Sequence, residues 1–161
     1  VSNAGFPFSS PTPLVEFLNN LKIGVVTSLW NEPITHALKH GCIVELTEQG
    51  LNIDQIIQLD VPGAFELPLG AQKLFEVSSV DAVICLGAVI KGDTPHFDFV
   101  CQGATRGIMD VGLKFSKPCI YGLLTTLNEG QARERIGGAY GHKGKEAAQT
   151  ALHLLTEFYS L

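Results

Sequence analysis

The sequence contains no block of like charge, no C-x-x-C pair and no apolar run approaching the roughly 18 to 20 residues of a membrane helix. Each absence removes a class of protein. With no charge block and a net charge of −5, nucleic acid and anionic membrane are excluded as main partners, so any anion must be held by local groups. The four cysteines, Cys42, Cys85, Cys101 and Cys119, lack zinc-ligand spacing, and three lie inside apolar runs. They read as buried thiols in a reducing compartment, which makes the expected location cytoplasmic. The opening VSNAGFPFSSPTP lacks the basic start and long apolar stretch of a signal peptide. Residues 1–20 therefore read as an N-terminal arm on a single domain spanning 1–161.

What is present is apolar for a chain of this size. A hydrophobic fraction of 45% against 17% charged residues implies surface hidden against copies of the same chain. KIGVVTS (22–28) and DAVICLGAVI (81–90) read as strands buried on both faces, IDQIIQLDV (53–61) as a weaker strand, and PCIYGLLTT (118–126) as the last. Between them lie helical patterns. Asn31 is placed as the N-cap of a helix whose inner face carries Ile34, Ala37, Leu38, Gly41 and Cys42, with Pro33 in its first turn. A second helix runs from about Leu67 to Val77. A third follows Thr94-Pro95, with Phe97, Val100, Cys101, Ala104, Ile108, Val111 and Phe115 on one face. Asn128 and Gln131 form a capping box, and a final helix from about Lys143 turns Ala147, Ala151, Leu154 and Phe158 inward. Strict alternation of strand and helix gives a parallel four-stranded sheet with helices on both faces.

In such sheets ligands bind beyond the carboxyl ends of the strands. There stand SLWNEP, VPGAFELP, GAVIKGDTPHFD and LLTTLNEG, expected to converge on one edge. Thr94 reads as N-cap, Pro95 as the first helical residue and His96 as the second: a plain helix start, or a seat for phosphate beside Gly92. The partial positive charge at a helix start disfavours imidazolium, so His96 is either a packing residue or a neutral ring able to accept a proton. Trp30 is either core or the floor of a pocket for a flat heterocycle. Glu66 either complements a helix dipole or receives N–H donors from a ring. Arg135 and Lys143 flank the glycine-rich joint IGGAYGH; singly each is a solvated cation, and together they can hold a phosphate from the side opposite Thr94. His36 and His40 lack a third ligand for a metal, and His142 and His153 are expected at the surface.

Taken in order, SLWNEPIT, VPGAFELP, GAVIKGDTPHFDFV, YGLLTT and ERIGGAYGHKG resemble the signature segments of the lumazine synthases over about residues 21–158. The resemblance implies a flavodoxin-like three-layer α/β/α fold. It implies condensation of 5-amino-6-ribitylaminopyrimidine-2,4-dione with 3,4-dihydroxy-2-butanone 4-phosphate, without metal or organic cofactor. It further implies a homopentamer or an icosahedral 60-mer capsid, and riboflavin synthase as a partner. Carried over residue by residue, it gives Trp30 and Asn31 to the pyrimidine and ribityl chain, with Ala64, Phe65, Glu66, Ala88, Val89 and Ile90 in the same pocket. It gives Gly92, Asp93, Thr94 and Arg135 to the phosphate, His96 to catalysis and Lys143 to substrate binding, and it has Tyr121 and Arg135 reach the pocket of a neighbouring subunit. Trp30, Lys91 and Pro95 stand where many relatives have Phe, Arg, and Thr or Ser; Lys91 exchanges a fork for a point charge. The alternative reading is a flavin- or phosphate-binding or shell-forming relative without catalysis.

Overall fold

A computed structural model describes residues 15–161; residues 1–14 of the expected arm lie outside the described part, and its remainder, Val15–Asn20, is helix α1. The strands are β1 (Ile23–Ser28), β2 (Ile56–Val61), β3 (Ala82–Ile90) and β4 (Cys119–Thr126). They pair in the order β2-β1-β3-β4, parallel throughout, with Ile23 opposite both Ile56 and Ala82, and Val83 opposite Cys119. The two central strands are buried along nearly their whole length, which is why they read as continuous apolar runs. The two edge strands alternate in burial.

Helices α2 (Glu32–Glu48) and α6 (Lys143–Tyr159) cover one face, around Val25, Leu38, Ile84 and Ala148. Helices α3 (Leu67–Val77) and α4 (His96–Phe115) cover the other, around Val26, Leu67, Cys85 and Ile108. This is the three-layer flavodoxin-like arrangement. The chain leaves β1 toward β2 on one side and returns to β3 on the other, so the crevice between β1 and β3 is the point where strand order reverses. Both flanking turns, after β1 and after β3, open there.

Several expectations shift. Ile53–Gln55 is a 3₁₀ turn and not part of β2. Beyond β4 comes the short helix α5 (Glu129–Arg133), whose Asn128 cap holds as expected through Gln131 N–H at 2.9 Å. The glycine-rich joint after it is a small antiparallel hairpin, β5 (Ile136–Gly138) with β6 (Gly141–His142). It turns through Gly137 and Gly141 at φ 114 and 75, a region where side chains are strained. The buried stripe of α6 runs through Gly144, Ala148, Ala151, Leu152 and Leu155, which leaves Phe158 49% exposed. That stripe starts at Gly144 because α6 crosses α2 there; a Cβ on Gly144 would stand 2.1 Å from Leu38 O.

Of the thiols, Cys42 and Cys85 are buried, but Cys101 and Cys119 are only partly covered. Burial, helped by Glu45, pushes Cys42 up to about 12, so it packs as a small apolar group.

His142 and His153 are partly buried, not surface residues. The His142 ring lies against Gly41 of α2, where an added Cβ would come within 2.1 Å of it. It also caps α6, its Nδ1 accepting from Lys145 N–H at 3.4 Å. Burial holds its pKa below the ordinary value, with Lys145 and His40 adding to the effect and Glu146 opposing it. A group with a depressed folded-state value binds its proton more readily when unfolded. Its contribution is therefore complete above the unfolded value of about 6.5 and is lost as pH falls through the lower folded value. Lowering pH from about 7.5 to about 5 should reduce the melting temperature more in the wild type than in His142→Asn, whose amide oxygen caps without titrating. Equal slopes would show that His142 is not the titrating group.

Candidate active site

The turns after β1 and β2 are tied together by the chain itself. Leu29 N–H donates to Val61 O at 2.9 Å and Trp30 N–H to Pro62 O at 3.2 Å. Asn31 occupies the N-cap position of α2 in a left-handed conformation, φ 61 and ψ 43, but its side chain does not cap the helix. Its Nδ2 instead donates to Ala88 O at 2.9 Å, fastening this turn to the end of β3. Asparagine tolerates that backbone region better than most residues. The β2–α3 turn is held by Glu66, whose Oε2 accepts from Gly63 N–H at 2.9 Å. Gly63 is narrow for a reason: a Cβ there would meet Glu66 Oε2 at 3.0 Å and the Trp30 ring at 3.4 Å.

These turns and the start of α4 enclose a cavity of about 660 Å³ lined by Trp30, Asn31, Gly63, Ala64, Phe65, Glu66, Ala88, Val89, Ile90, His96, Phe99 and Val100. Trp30 is 73% exposed and Phe65 62%, so neither is a core residue, and both line the cavity. That rules out the core reading of Trp30. Such walls suit a flat heterocycle, and the Glu66 carboxylate retains acceptor positions for ring or hydroxyl donors.

His96 is the first residue of α4, one place earlier in the helix than expected, because Pro95 and not Thr94 occupies the N-cap position. No side chain caps this start. First-turn N–H groups are thus open to an anion, next to the exposed imidazole. The exposed loop Gly92-Asp93-Thr94 joins Ile90 to His96, and a Cβ on Gly92 would meet nothing within 4 Å. Its base is fixed by Lys91 N–H donating to Thr126 O at 2.9 Å.

Tyr121, Arg135 and Lys143 do not join this group. They line a separate cavity of about 630 Å³ along the outer edge of β4, with Thr125, Thr126, Glu146 and Thr150 among its other walls. The expectation that all four carboxyl-side segments converge is corrected here: LLTT belongs to the second cavity. β4 is an edge strand, and the residues after it fold over its outer side. Tyr121 OH accepts from Thr105 Oγ1 at 3.0 Å, and burial pushes its phenol up, so it is protonated at neutral pH. Lys143 Nζ is paired with Glu146 Oε2 at 2.7 Å. Arg135 Nη1 donates to Gln131 O at 2.7 Å.

Gly63, Phe99 and Val100 were not among the residues expected in the site. Phe99 and Val100 follow His96 by three and four positions, the spacing that places them on its side of the helix. That spacing was a usable signal for Phe99, which is 72% exposed where a core residue would be covered.

A flavodoxin-like sheet with an aromatic-lined cavity and an imidazole at its reversal point defines an α/β protein with a site of the size and lining that suit a small ligand. A profile of the 6,7-dimethyl-8-ribityllumazine synthases matches residues 20–158. The chain belongs to that family. It is 48% identical over 157 residues to the 6,7-dimethyl-8-ribityllumazine synthase of Cytophaga hutchinsonii, covering 98% of this chain and 99% of that one. It is 45% identical over 141 residues to that of Bacteroides fragilis, covering 88% and 99%. It is 46% identical over 137 residues to that of Parabacteroides distasonis, covering 85% and 86%.

Proposed function

We propose that this protein is a transferase that condenses 5-amino-6-ribitylaminopyrimidine-2,4-dione with 3,4-dihydroxy-2-butanone 4-phosphate to 6,7-dimethyl-8-ribityllumazine, releasing phosphate and two waters. The observation that carries this reading is the gathering of Trp30, Phe65, Glu66 and His96 around one cavity at the reversal point of the sheet.

In this reading the pyrimidine lies against Trp30, and its ring and ribityl polar groups meet Glu66 and the backbone around Asn31, Ala64 and Ala88–Ile90. The phosphate sits at the open start of α4. Gly92, Asp93 and Thr94 reach it by backbone N–H and by the Thr94 hydroxyl, since the Asp93 carboxylate itself repels an anion. The substrate amine attacks the ketone and one water leaves to give an imine. Loss of a proton then drives elimination of phosphate, and ring closure expels the second water. His96 takes and returns protons; no covalent bond to the protein is needed, so orientation supplies much of the acceleration. No metal or organic cofactor enters this chemistry.

Arg135, Lys143 and Tyr121 serve the same reaction from a neighbouring copy in a homopentamer, or in a 60-mer capsid built of pentamers. Their separation from His96 within one chain supports a site completed across an interface. Exposed Leu69, Val77, Met109 and Leu113 on the outer helices support association, being apolar surface that a monomer leaves in water. No helix among the described residues is long and apolar enough to cross a membrane. In this reading the enzyme works in the cytoplasm and hands its product to riboflavin synthase.

The test is incubation with both substrates while following lumazine fluorescence and free phosphate. Equimolar appearance of the two is the expected result. Binding of flavin without turnover of either substrate would favour a non-catalytic relative.

A further inference from the structure

We propose that Tyr140 is a positioning residue that holds the Arg135 guanidinium flat and leaves its in-plane N–H fork directed to the substrate phosphate; the inference rests on the phosphate role given to Arg135 above. Tyr140 lines neither cavity. It reaches the chemistry only through Arg135, whose Cζ stands 4.6 Å from the centre of the tyrosine ring.

The two cations of the β4-edge cavity are not equivalent. Lys143 is neutralised by Glu146 at 2.7 Å, whereas Arg135 has no carboxylate partner among the described residues, its contacts being Gln131 O and the Tyr140 ring. A guanidinium lying over an aromatic ring uses its face for that contact, while its five N–H donors lie in its plane. One donor is engaged by Gln131 O at 2.7 Å. The others stay free for the paired, planar contact that arginine makes with phosphate.

The main chain that carries the ring is held by backbone bonds at Tyr140 and just after β6. Tyr140 N–H donates to Glu134 O at 3.0 Å, and Lys143 N–H donates to Arg135 O at 2.8 Å. Tyr140 and Lys143 are thereby tied to Glu134 and to Arg135 itself. An arginine free in solvent loses much rotamer freedom when it binds an anion. One already laid on a ring loses less, and that difference appears as tighter phosphate binding.

The experiment uses the assembled protein and the variants Tyr140→Ala, Tyr140→Phe, Tyr140→Leu, Arg135→Ala and the Tyr140→Ala/Arg135→Ala double. KM for each substrate is measured, with the inhibition constant of inorganic phosphate. Tyr140→Ala should raise KM for the butanone phosphate and the phosphate inhibition constant by about 3- to 10-fold. KM for the pyrimidine and kcat should move by less than about twofold. Tyr140→Phe keeps the ring face and should restore phosphate binding; Tyr140→Leu fills the space without it and should not. In the Arg135→Ala background the Tyr140→Ala effect should disappear. Rescue by leucine equal to that by phenylalanine would reduce the contact to packing and overturn the inference. So would a Tyr140→Ala effect that persists without Arg135, or no effect where Arg135→Ala alone weakens phosphate. If Arg135→Ala leaves inorganic phosphate unaffected, the phosphate role of Arg135 fails, and this inference with it; the single variant separates the two failures.

Discussion

Chains carrying Trp30→Ala and chains carrying Arg135→Ala, each nearly inactive alone, should regain about a quarter of wild-type activity when dissociated, mixed in equal amounts and reassembled. Losing Trp30 removes a stacking face worth about 1 to 3 kcal/mol to a flat heterocycle. Losing Arg135 removes a charge-assisted contact of about 1.5 to 3 kcal/mol. With both substrates below saturation, each loss appears in kcat/KM as roughly a 10- to 10²-fold reduction. Trp30 lines the cavity beside His96 and Arg135 lines the one along the outer edge of β4. A ring built from one repeated, unlike-faced contact places the first group of one copy against the second group of the next. In random mixed rings, about one contact in four pairs an intact Trp30 side with an intact Arg135 side, which sets the expected recovery. Native mass measurement confirms that mixed assemblies have formed. Mixed assemblies that stay inactive would show that each site is confined to one chain.

His96→Ala should lower kcat by about 10- to 10²-fold, below the upper range for general acid–base groups, because amines and ketones condense slowly even without a catalyst. The fold should persist. His96 is exposed at the first position of α4, so its removal opens no hole in either core. His96→Gln keeps a polar side chain but cannot carry a proton between steps, and should lose as much as the alanine variant. Equal kcat and KM in wild type and both variants would falsify the proton-transfer role.

Much of the molecule was readable one segment at a time. β1 and β3 announce themselves because a strand covered on both faces tolerates almost nothing but apolar residues along its length. The bounds of α3 follow from its apolar spacing after the PGAFELP turn. The main cavity was legible for a related reason: parallel strands that alternate with helices deliver their following turns to the same edge, so the residues of those turns can be grouped before their positions are known.

What escaped the linear reading depended on neighbours distant in sequence. The β5–β6 hairpin has strands too short to show a period, and its shape comes from two left-handed glycines. Asn31 looked like a helix cap because it stands where caps stand, yet Ala88 O, brought beside it by sheet pairing, takes its amide. His142 looked like a surface residue until α6 crossed α2 and closed over it. The division of the expected site residues into two cavities is different: the family resemblance already set Tyr121 and Arg135 apart, whereas the segments read one at a time had all four turns converging on one edge. Residue types and local periodicity establish a doubly covered parallel sheet, the turns that carry chemistry, and the pairing of aromatic, carboxylate and imidazole. They do not say which strands pair, or over which side of the sheet the chain after the last strand folds. That is settled when β3 pairs with β1 on one side and β4 on the other and the chain after β4 folds over its free outer side, which puts Tyr121, Arg135 and Lys143 in a cavity apart from His96.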